Sequence, residues 1–210
     1  MTLLKKYIFN LILEFHNDEA IFNKIDAKIG SGNFGTRIKA FFDDLSYEFD
    51  KIRFEEISKA IIVITEKFLK KVEGYFAVLI SGYMMHFARS MHGLPYNVDN
   101  ICTSMYLSSR KLAAENKLAR NQKTFFDVLY AVCDWAYFNK ELPVSQLLEG
   151  IEKTAKNALE NSRLLKSKVW PARYLGTRAI GLYDSGALFI YLLIESFYRN
   201  WKEYELEKNK

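Results

Sequence analysis

Apolar side chains recur along this chain with the period of an α-helix, whereas the strict alternation of half-buried strands is scarce. The segment IKAFFDDLSYEF, residues 38–49, for example, places Ile38, Phe41 and Leu45 on one side of a helix. The pattern predicts an all-α protein of eight helices, with approximate bounds at 2–17, 36–49, 54–71, 75–93, 98–116, 123–139, 143–165 and 185–202.

The breaks between these helices suggest how they are arranged. All three prolines, Pro95, Pro143 and Pro171, fall between predicted helices, where proline does not interrupt helical hydrogen bonding. Short connections favour antiparallel neighbours. No linker, repeat or low-complexity tract divides the chain, so residues 1–210 are predicted to form one domain, an antiparallel up-and-down barrel of eight helices.

Composition excludes some classes of function. The formal net charge is +5, but acidic and basic residues alternate along the helices, as on solvated helix faces. We therefore expect no nucleic-acid partner. Cys102 and Cys133 lie in apolar contexts without metal-binding spacing, which indicates buried free thiols in a reducing compartment.

The N-terminal stretch MTLLKKYIFNLILEFHNDE begins like a signal peptide. However, Asn10 and Glu14 break its apolar positions in a helical rhythm and no small-residue cleavage site follows, so we interpret it as an amphipathic helix. The longest later apolar run, residues 187–194, is too short to span a bilayer. The expectation is a cytoplasmic protein without a membrane partner.

Two glycine-rich loops point to a ligand site. They are IDAKIGSGNFGTRI, residues 25–38, and YLGTRAIGLYDSGA, residues 174–187, and each leads into a helix whose N-terminus suits an anion. In an antiparallel barrel, the loops that follow odd-numbered helices share one end. These two loops and the turns after the third and fifth helices are therefore predicted to form a ligand site at one rim.

Three segments carry a resemblance to a known family. DAKIGSGNFGTRI (26–38), NKLARNQKTFFDVL (116–129) and ARYLGTRAIGLYDSGA (172–187) match, in order and spacing, motifs of the nucleotide-binding L subunit of dihydroxyacetone (glycerone) kinase, the DhaL or DAK2 domain family. The resemblance implies an eight-helix antiparallel barrel that holds ADP or ATP at one rim and takes part in phosphoryl transfer to dihydroxyacetone.

The metal site that this resemblance implies has lost acidic residues. Family members hold two magnesium ions with three aspartates in the spacing D-x4-D-x-D. The matching positions here are Asp26, Ser31 and Asn33, so one carboxylate of three remains. Magnesium dehydrates reluctantly and depends on anionic ligands. We therefore expect weak magnesium binding at these three residues.

The nucleotide site that the resemblance implies is also altered. Phe34 replaces a histidine or cysteine, Asn116 a glycine, Phe125 a methionine and Pro171 a phosphate-binding arginine, whereas Arg37 adds a cation in the first turn of the second helix. A fixed cation there can replace part of a metal's charge; the other interpretation of Arg37 is a solvated side chain. The full set of implied nucleotide-binding positions is Phe34, Gly35, Thr36, Arg37, Ile80, Ser81, Gly82, Asn116, Phe125, Pro171, Asp184, Ser185 and Gly186.

Three hypotheses follow. The first is an L-type subunit with weakened or lost catalysis that binds a nucleotide or another phosphate ligand, or serves as a regulatory subunit. The second is an active kinase subunit that uses one magnesium ion. The third is a barrel that binds an apolar molecule without phosphate chemistry. For the first two, the resemblance implies a K-type kinase subunit as partner, a phosphohistidine protein of the phosphotransferase system, or a homodimer.

Overall fold

The computed structural model describes residues 3–54, 56–170 and 172–208, and every regular element within these ranges is helical. The all-α class predicted from the sequence is confirmed. Two 3-10 segments lie at Phe49–Lys51 and Ala172–Ala179. The α-helices of the described residues are α1 (Leu3–Asn17), α2 (Glu19–Asp26), α3 (Phe34–Glu48), α4 (Ile57–Lys71), α5 (Tyr75–Ser90), α6 (Val98–Asn116), α7 (Phe125–Phe138), α8 (Val144–Arg163) and α9 (Ser185–Lys208).

Two segments that were predicted to be loops contain helical turns. Helix α2 occupies the first part of the loop expected between the first two helices, because its sequence EAIFNKID buries Phe22 and Asp26 on one face. The second segment, before α9, contains the 3-10 turns at Ala172–Ala179, which are interrupted at Gly176 with a φ of 55°. The other eight α-helices correspond to the eight predicted ones.

Side-chain caps fix the starts of the two helices that follow polar turns. The Asn97 side chain accepts a hydrogen bond of 2.8 Å from the Asn100 amide at the start of α6. Thr124 and Asp127 form a capping box at the start of α7, in which the Asp127 carboxylate accepts from the Thr124 amide at 2.9 Å. Such caps satisfy amide groups that have no partner inside the helix. The start of α7, which borders the candidate site, is thus well defined.

The eight long helices pack in chain order. Each contacts the next long helix, from the pair α1 and α3 through to α8 and α9, and α9 packs back against α1. Helix α7 also contacts α9. Short connections between most of these neighbours make successive long helices antiparallel. The segments that precede α3, α5, α7 and α9 therefore gather at one end of the molecule.

The core of this end is built from phenylalanine rings. Phe15 stacks on Phe42 with ring centroids 5.1 Å apart and meets the edge of Phe189 at 5.2 Å. Phe189 in turn lies 5.9 Å from the Phe34 ring at the start of α3. Edge-on and stacked pairs of this kind add to the stabilisation that comes from burial. The aromatic core thereby continues without a break up to the candidate site.

Polar contacts join the first and last helices. Asn10 of α1 donates to the Asn200 side chain of α9, and the Tyr7 hydroxyl donates to the Leu193 carbonyl at 2.8 Å. Asn200 is 1% exposed, so its amide is a buried polar group with defined partners. These bonds fix the register of α1 against α9, which is the contact between the first and the last long helix.

The cysteines and the apolar helices agree with the sequence analysis. Cys102 and Cys133 are buried free thiols. Burial raises the pKa of Cys102 to about 11 and that of Cys133 to about 12, so both thiols are protonated at neutral pH and unsuited to nucleophilic chemistry.

Among the described residues, no helix combines the length and the apolar character that crossing a membrane requires.

Candidate functional site

A cavity of about 420 Å³ opens at the end where the four segments meet. The segment before α3 contributes Asp26 and Ser31, and the segment before α9 contributes Asp184, Ser185 and Gly186. The turn before α5 and the segment before α7 complete the walls, together with residues 169, 170 and 172. The arrangement of loops predicted from an antiparallel helix order is therefore present.

Asp26 organises the loop that was predicted to bind metal. Its carboxylate is 6% exposed, and one oxygen, Oδ2, accepts from the Gly32 amide at 2.7 Å, the Asn33 amide at 3.2 Å and the Ser31 hydroxyl at 3.3 Å. The other oxygen, Oδ1, accepts from the Ser185 hydroxyl at 2.7 Å. The side chain thus receives four hydrogen bonds from the protein and joins the start of α3 to the start of α9.

The two neutral residues of the same loop bond to each other. The Ser31 hydroxyl also lies within hydrogen-bond distance of the Asn33 side-chain oxygen, so its one hydrogen is shared between the Asn33 and Asp26 oxygens. Gly30 and Gly32 allow the chain to wrap this closely: a Cβ on Gly30 would lie 2.3 Å from Asp26 Oδ1, and Gly32 has a φ of 78°. The oxygens of Asp26, Ser31 and Asn33 are therefore used within the loop.

Aromatic rings form one wall of the cavity. Phe76, at the start of α5, meets the Phe34 ring at 5.3 Å and the Phe125 ring at 5.1 Å, both edge-on. The mouth carries two further rings, Tyr75 and Trp170, which are 58% and 70% exposed. The cavity thus offers ring faces and edges to a ligand.

Arg37 lines the cavity and binds the turn before α5. Its guanidinium donates to the Glu73 carbonyl at 3.1 Å and lies 3.7 Å from the Glu73 carboxylate. Gly74, which follows with a φ of 99°, takes a conformation that favours glycine and begins α5. Part of the charge of Arg37 is thus already paired with the turn before α5.

The segment before α7 has an unusual backbone that places a buried lysine. Lys117, Asn121 and Lys123 have φ values of 54°, 60° and 60°, a region that residues other than glycine rarely occupy. Lys123 is 1% exposed, and its ammonium donates to the carbonyls of Ser162 at 3.3 Å and Arg163 at 2.9 Å. Burial lowers the pKa of Lys123. Its charge satisfies the C-terminal carbonyls of α8.

The long segment before α9 is attached at several points. The Gly181 amide donates to the Arg163 carbonyl at 2.9 Å, and the Lys168 amide donates to the Gln122 carbonyl at 3.2 Å. The Arg163 guanidinium also donates to the Tyr183 hydroxyl at 2.9 Å. These bonds hold the segment over the cavity and present Trp170 at the mouth.

Asp184 begins α9 and faces the cavity. Its side chain accepts from the Ala187 amide at 2.8 Å, as an N-terminal cap. Burial raises the pKa of Asp184 to about 6; nearby Asp127 and Asp26 also raise it, while the Ala187 hydrogen bond and Lys123 oppose the shift. Ionisation of Asp184 at neutral pH therefore lowers the stability of the fold.

Several residues that the resemblance assigns to the nucleotide site do not line the cavity. The Thr36 hydroxyl donates to the Glu19 carboxylate at 2.8 Å, so it faces α2. Gly35 packs against α2 as well, since a Cβ there would lie 2.1 Å from the Glu19 carbonyl oxygen. Asn33 does not line the cavity, but its side chain contacts Ser31, which does. Helix α2, which sequence reasoning missed, accounts for the placement of Thr36 and Gly35.

Other residues that the resemblance assigns to the nucleotide site also do not line the cavity, and they lie in α5 and α6. Ile80 and Ser81 are buried within α5, and a Cβ on Gly82 would contact Leu112 of α6 at 3.3 Å. The Asn116 side chain donates to the Leu112 carbonyl of its own helix at 3.1 Å. The resemblance implies that Thr36, Ser81 and Asn116 contact the nucleotide, but the described lining does not include them. Pro171 lies outside the described residues.

The comparisons with known proteins agree with this geometry. The protein-family model described as DAK2 domain matches residues 28–199. The chain belongs to the DAK2 domain family. No curated protein shows significant similarity to the chain. Two solved structures of similar fold are the dihydroxyacetone kinase of C. freundii in its native form and the same enzyme in complex with AMP-PNP and Mg²⁺.

The structural likeness is close although the sequences have diverged. Both comparisons give a TM-score of 0.73, with 14% identity for the native form and 16% for the complex. The alignment covers 94% of this chain but only 34% and 33% of the two kinase chains, so this DAK2 domain spans about a third of their length. At this identity the likeness shows a shared fold.

Several residues that line the cavity of this DAK2 domain or lie beside it were not identified from the sequence. Tyr75, Phe76, Gln122 and Trp170 line the cavity, and Lys123 lies buried behind it. A signal existed for Gln122 and Lys123, since both belong to the matched segment NQKT. Tyr75 and Phe76 had none, because an aromatic residue at the start of a helix is most often part of the core, and Trp170 had none because it lies in a turn outside any predicted helix.

The raised pKa of Asp184 leads to a prediction on stability. The folded value of about 6 exceeds the ordinary 3.8, so the stabilising proton is fully bound below 3.8 and is lost as pH rises through about 6. Asp184→Asn keeps an N-terminal cap and removes the buried charge. We expect it to raise the free energy of unfolding at pH 7.5 by about 1–2 kcal/mol.

Urea denaturation between pH 4 and pH 8 would measure this effect, with Asp50→Asn as the control because the Asp50 side chain is 95% exposed. The stability of the Asp184 variant should vary less across pH 4–6 than that of the wild type. A variant that is less stable at pH 7.5, with an unchanged pH profile, would show that ionised Asp184 is well solvated.

Proposed function

We propose that this DAK2 domain is a nucleotide- or phosphate-binding unit of the dihydroxyacetone kinase type in which phosphoryl transfer is weakened or lost. The supporting observation is the state of the loop at residues 26–33. It lies at the shared cavity with the other matched segments, yet its carboxylate already accepts four hydrogen bonds. The scaffold of a nucleotide site is kept, while the group that should bind metal serves the fold.

The donor set fits a pair of magnesium ions poorly. Magnesium needs near-octahedral oxygen ligands and at least one carboxylate that is free to coordinate. Asp26 is enclosed by amide and hydroxyl donors, and Ser31 is bonded to Asn33. Within the described residues, no group of three or more His, Cys, Asp or Glu side chains is placed to hold a metal ion. We therefore derive no catalytic step through magnesium.

The remaining contacts also favour binding over turnover. Phosphoryl transfer depends on positioning and on cations that stabilise the charge of the transferring group. Arg37 is the cation among the described lining residues, and Glu73 pairs with it. Phe34 and Phe125 present rings that cannot hydrogen-bond phosphate oxygens. A ligand can be held in this cavity, but little in it would lower the barrier to transfer.

A partner or regulatory role is part of the proposal. The C. freundii structures are of a dihydroxyacetone kinase whose chain is about three times the aligned length. By the resemblance, the substrate dihydroxyacetone is carried by a K-type subunit or domain, and this chain would dock with it. An unproductive nucleotide-binding unit would then regulate such a partner or compete with an active L-type unit.

The test is to measure binding and turnover separately. Calorimetry with adenine compounds, with and without Mg²⁺, reports binding, and a coupled assay with dihydroxyacetone and a K-type subunit reports turnover. We expect binding without measurable phosphorylation. Magnesium-dependent ADP binding at micromolar level together with phosphorylation would instead establish an active L-type subunit. If no adenine compound binds, the nucleotide-site proposal is wrong.

A further inference from the structure

We propose that the cavity selects a planar aromatic ligand with little negative charge, a nucleoside or nucleoside monophosphate, which aromatic rings hold without a metal ion. The inference deepens the function proposed above and rests on it, because it specifies the ligand of the same cavity. Three features of the described residues carry it. Two exposed rings at the mouth contact no other ring, the lining is acidic, and the Asp26 carboxylate of the loop at residues 26–33 already accepts hydrogen bonds from the protein.

The rings at the mouth are placed for stacking. Trp170 and Tyr75 both line the cavity and are 70% and 58% exposed. Neither ring contacts another ring in the part of the chain that the structure describes, unlike the paired rings of Phe34, Phe76 and Phe125 behind them. A planar ligand would cover these exposed faces. Stacking of a base on an aromatic side chain tolerates any base, since every base has a π-face.

The charges of the lining oppose a polyphosphate. Asp26, Glu73 and Asp184 line the cavity against the single described cation Arg37, which leaves the lining negative by two charges when all are ionised. Glu73 already pairs with Arg37, and the nearby ammonium of Lys123 is bound to backbone carbonyls. Each added phosphate therefore brings negative charge towards carboxylates, which is unfavourable.

A bound metal would normally offset such repulsion, and here the loop offers it few ligands. Oδ2 of the Asp26 carboxylate accepts three hydrogen bonds, and Oδ1 accepts one from Ser185, which ties that side chain to α9. Only the remaining acceptor site on Oδ1 is left for a cation, and one such site with neutral neighbours holds magnesium weakly. Ligand binding in this cavity should consequently be indifferent to magnesium.

Three exposed cations that do not line the cavity define the competing outcome, in which added phosphates strengthen binding. Lys168, Arg173 and Arg178 are exposed on the segment before α9, near Trp170 in sequence, but they do not line the cavity. If a polyphosphate tail leaves the mouth and meets these side chains, affinity will rise with each phosphate. The measured order of affinities therefore decides between the two arrangements.

The experiment is calorimetry on the full chain at pH 7.5 with adenosine, AMP, ADP and ATP, each in EDTA and in excess Mg²⁺. We expect affinity to fall from adenosine through AMP and ADP to ATP, because each phosphate adds negative charge near the carboxylates, and we expect ATP to bind at least about tenfold more weakly than adenosine. Magnesium should leave the adenosine and AMP values unchanged.

Two variants locate the ligand. Trp170→Ala should weaken adenosine binding about tenfold, the effect of removing one stacked ring. Tyr174→Ala is the matched control, because Tyr174 lies in the same segment with 68% exposure but does not line the cavity, and it should bind adenosine like the wild type. Circular dichroism of both variants would show that they fold alike.

The outcomes separate the two proposals. If no adenine compound binds, both this inference and the nucleotide-site proposal are wrong. If affinity increases from adenosine to ATP, is equal for all four, or requires Mg²⁺, the inference is overturned while the nucleotide-site proposal stands. Equal adenosine binding by the Trp170 and Tyr174 variants would also overturn it, since the stacking rings would then have no role.

Discussion

Asp26→Ala should lower the free energy of unfolding by about 3–4 kcal/mol. The carboxylate is 6% exposed and accepts from Gly32, Asn33, Ser31 and Ser185. Hydrogen bonds to a charged group contribute about 1.5–3 kcal/mol each, and their loss here leaves buried amide and hydroxyl donors without an acceptor. The cost is reduced where water enters the cavity, so the full sum is not expected.

A graded series tests this account of Asp26. Ser185→Ala removes one of the four bonds and should cost about 1.5 kcal/mol, and Asp26→Asn, which keeps one carbonyl oxygen, should fall between the two alanine variants. Ser46→Ala is the control, because the Ser46 hydroxyl bonds to the Asp43 carbonyl on an exposed surface. Urea denaturation gives the values. If Asp26→Ala costs no more than Ser46→Ala, the carboxylate does not hold the loop.

Most of the fold could be predicted from the sequence, because helical periodicity depends on local residue order. The predicted helix at residues 98–116 has the bounds of α6, since Asn97 provides an N-terminal cap. Helix α2 was missed because it is short and follows α1 after one residue, so that its single buried aromatic residue, Phe22, gives too little periodicity to recognise. Its presence changes the site, since it binds Thr36.

The site could be predicted only as a meeting of loops. Helix order determines which loops share an end, so the approach of the segments at 26–33 and 184–186 was predictable. Their actual contact, the Ser185 hydroxyl on the Asp26 carboxylate, joins residues 159 positions apart and has no local signal. The pairing of Arg37 with Glu73 is similar: the sequence indicates a cation, and only the fold shows that its charge is partly used.

These contacts explain how the loop can keep its shape with fewer acids. In the resembling family, three carboxylates need cations to lie close together. Here Ser31 and Asn33 are neutral and lie within hydrogen-bond distance of each other, and Asp26 is surrounded by donors, so the loop needs no cation to offset repulsion between carboxylates. On the function proposed above, the residues that stand in place of metal-binding acids also supply hydrogen bonds that take over a metal's structural role.

This exchange should be reversible. Ser31→Asp combined with Asn33→Asp brings three carboxylates together at the cavity, because Ser31 already bonds to both Asp26 and Asn33. In EDTA we expect the double variant to be less stable than the wild type by about 1–2 kcal/mol, from like-charge repulsion. Magnesium should restore that stability, since binding to the folded state alone stabilises it. The wild type should show no such response.

The ADP affinity of the same double variant should also increase with magnesium, and by a larger free energy than its stability does. With three carboxylates to hold Mg²⁺, the metal would neutralise the phosphates, and we expect magnesium-dependent ADP affinity to rise about 100-fold, or ~2.7 kcal/mol. Ser31→Ala with Asn33→Ala is the matched control, because it removes the same hydrogen bonds without adding charge and should not respond to magnesium. Calorimetry with ADP in EDTA and in Mg²⁺ measures both variants. Turnover need not return, since the Phe34 and Phe125 rings still line the cavity. A double variant whose ADP affinity ignores magnesium would show that the loss of these two acids is not what separates this chain from a metal-dependent kinase subunit.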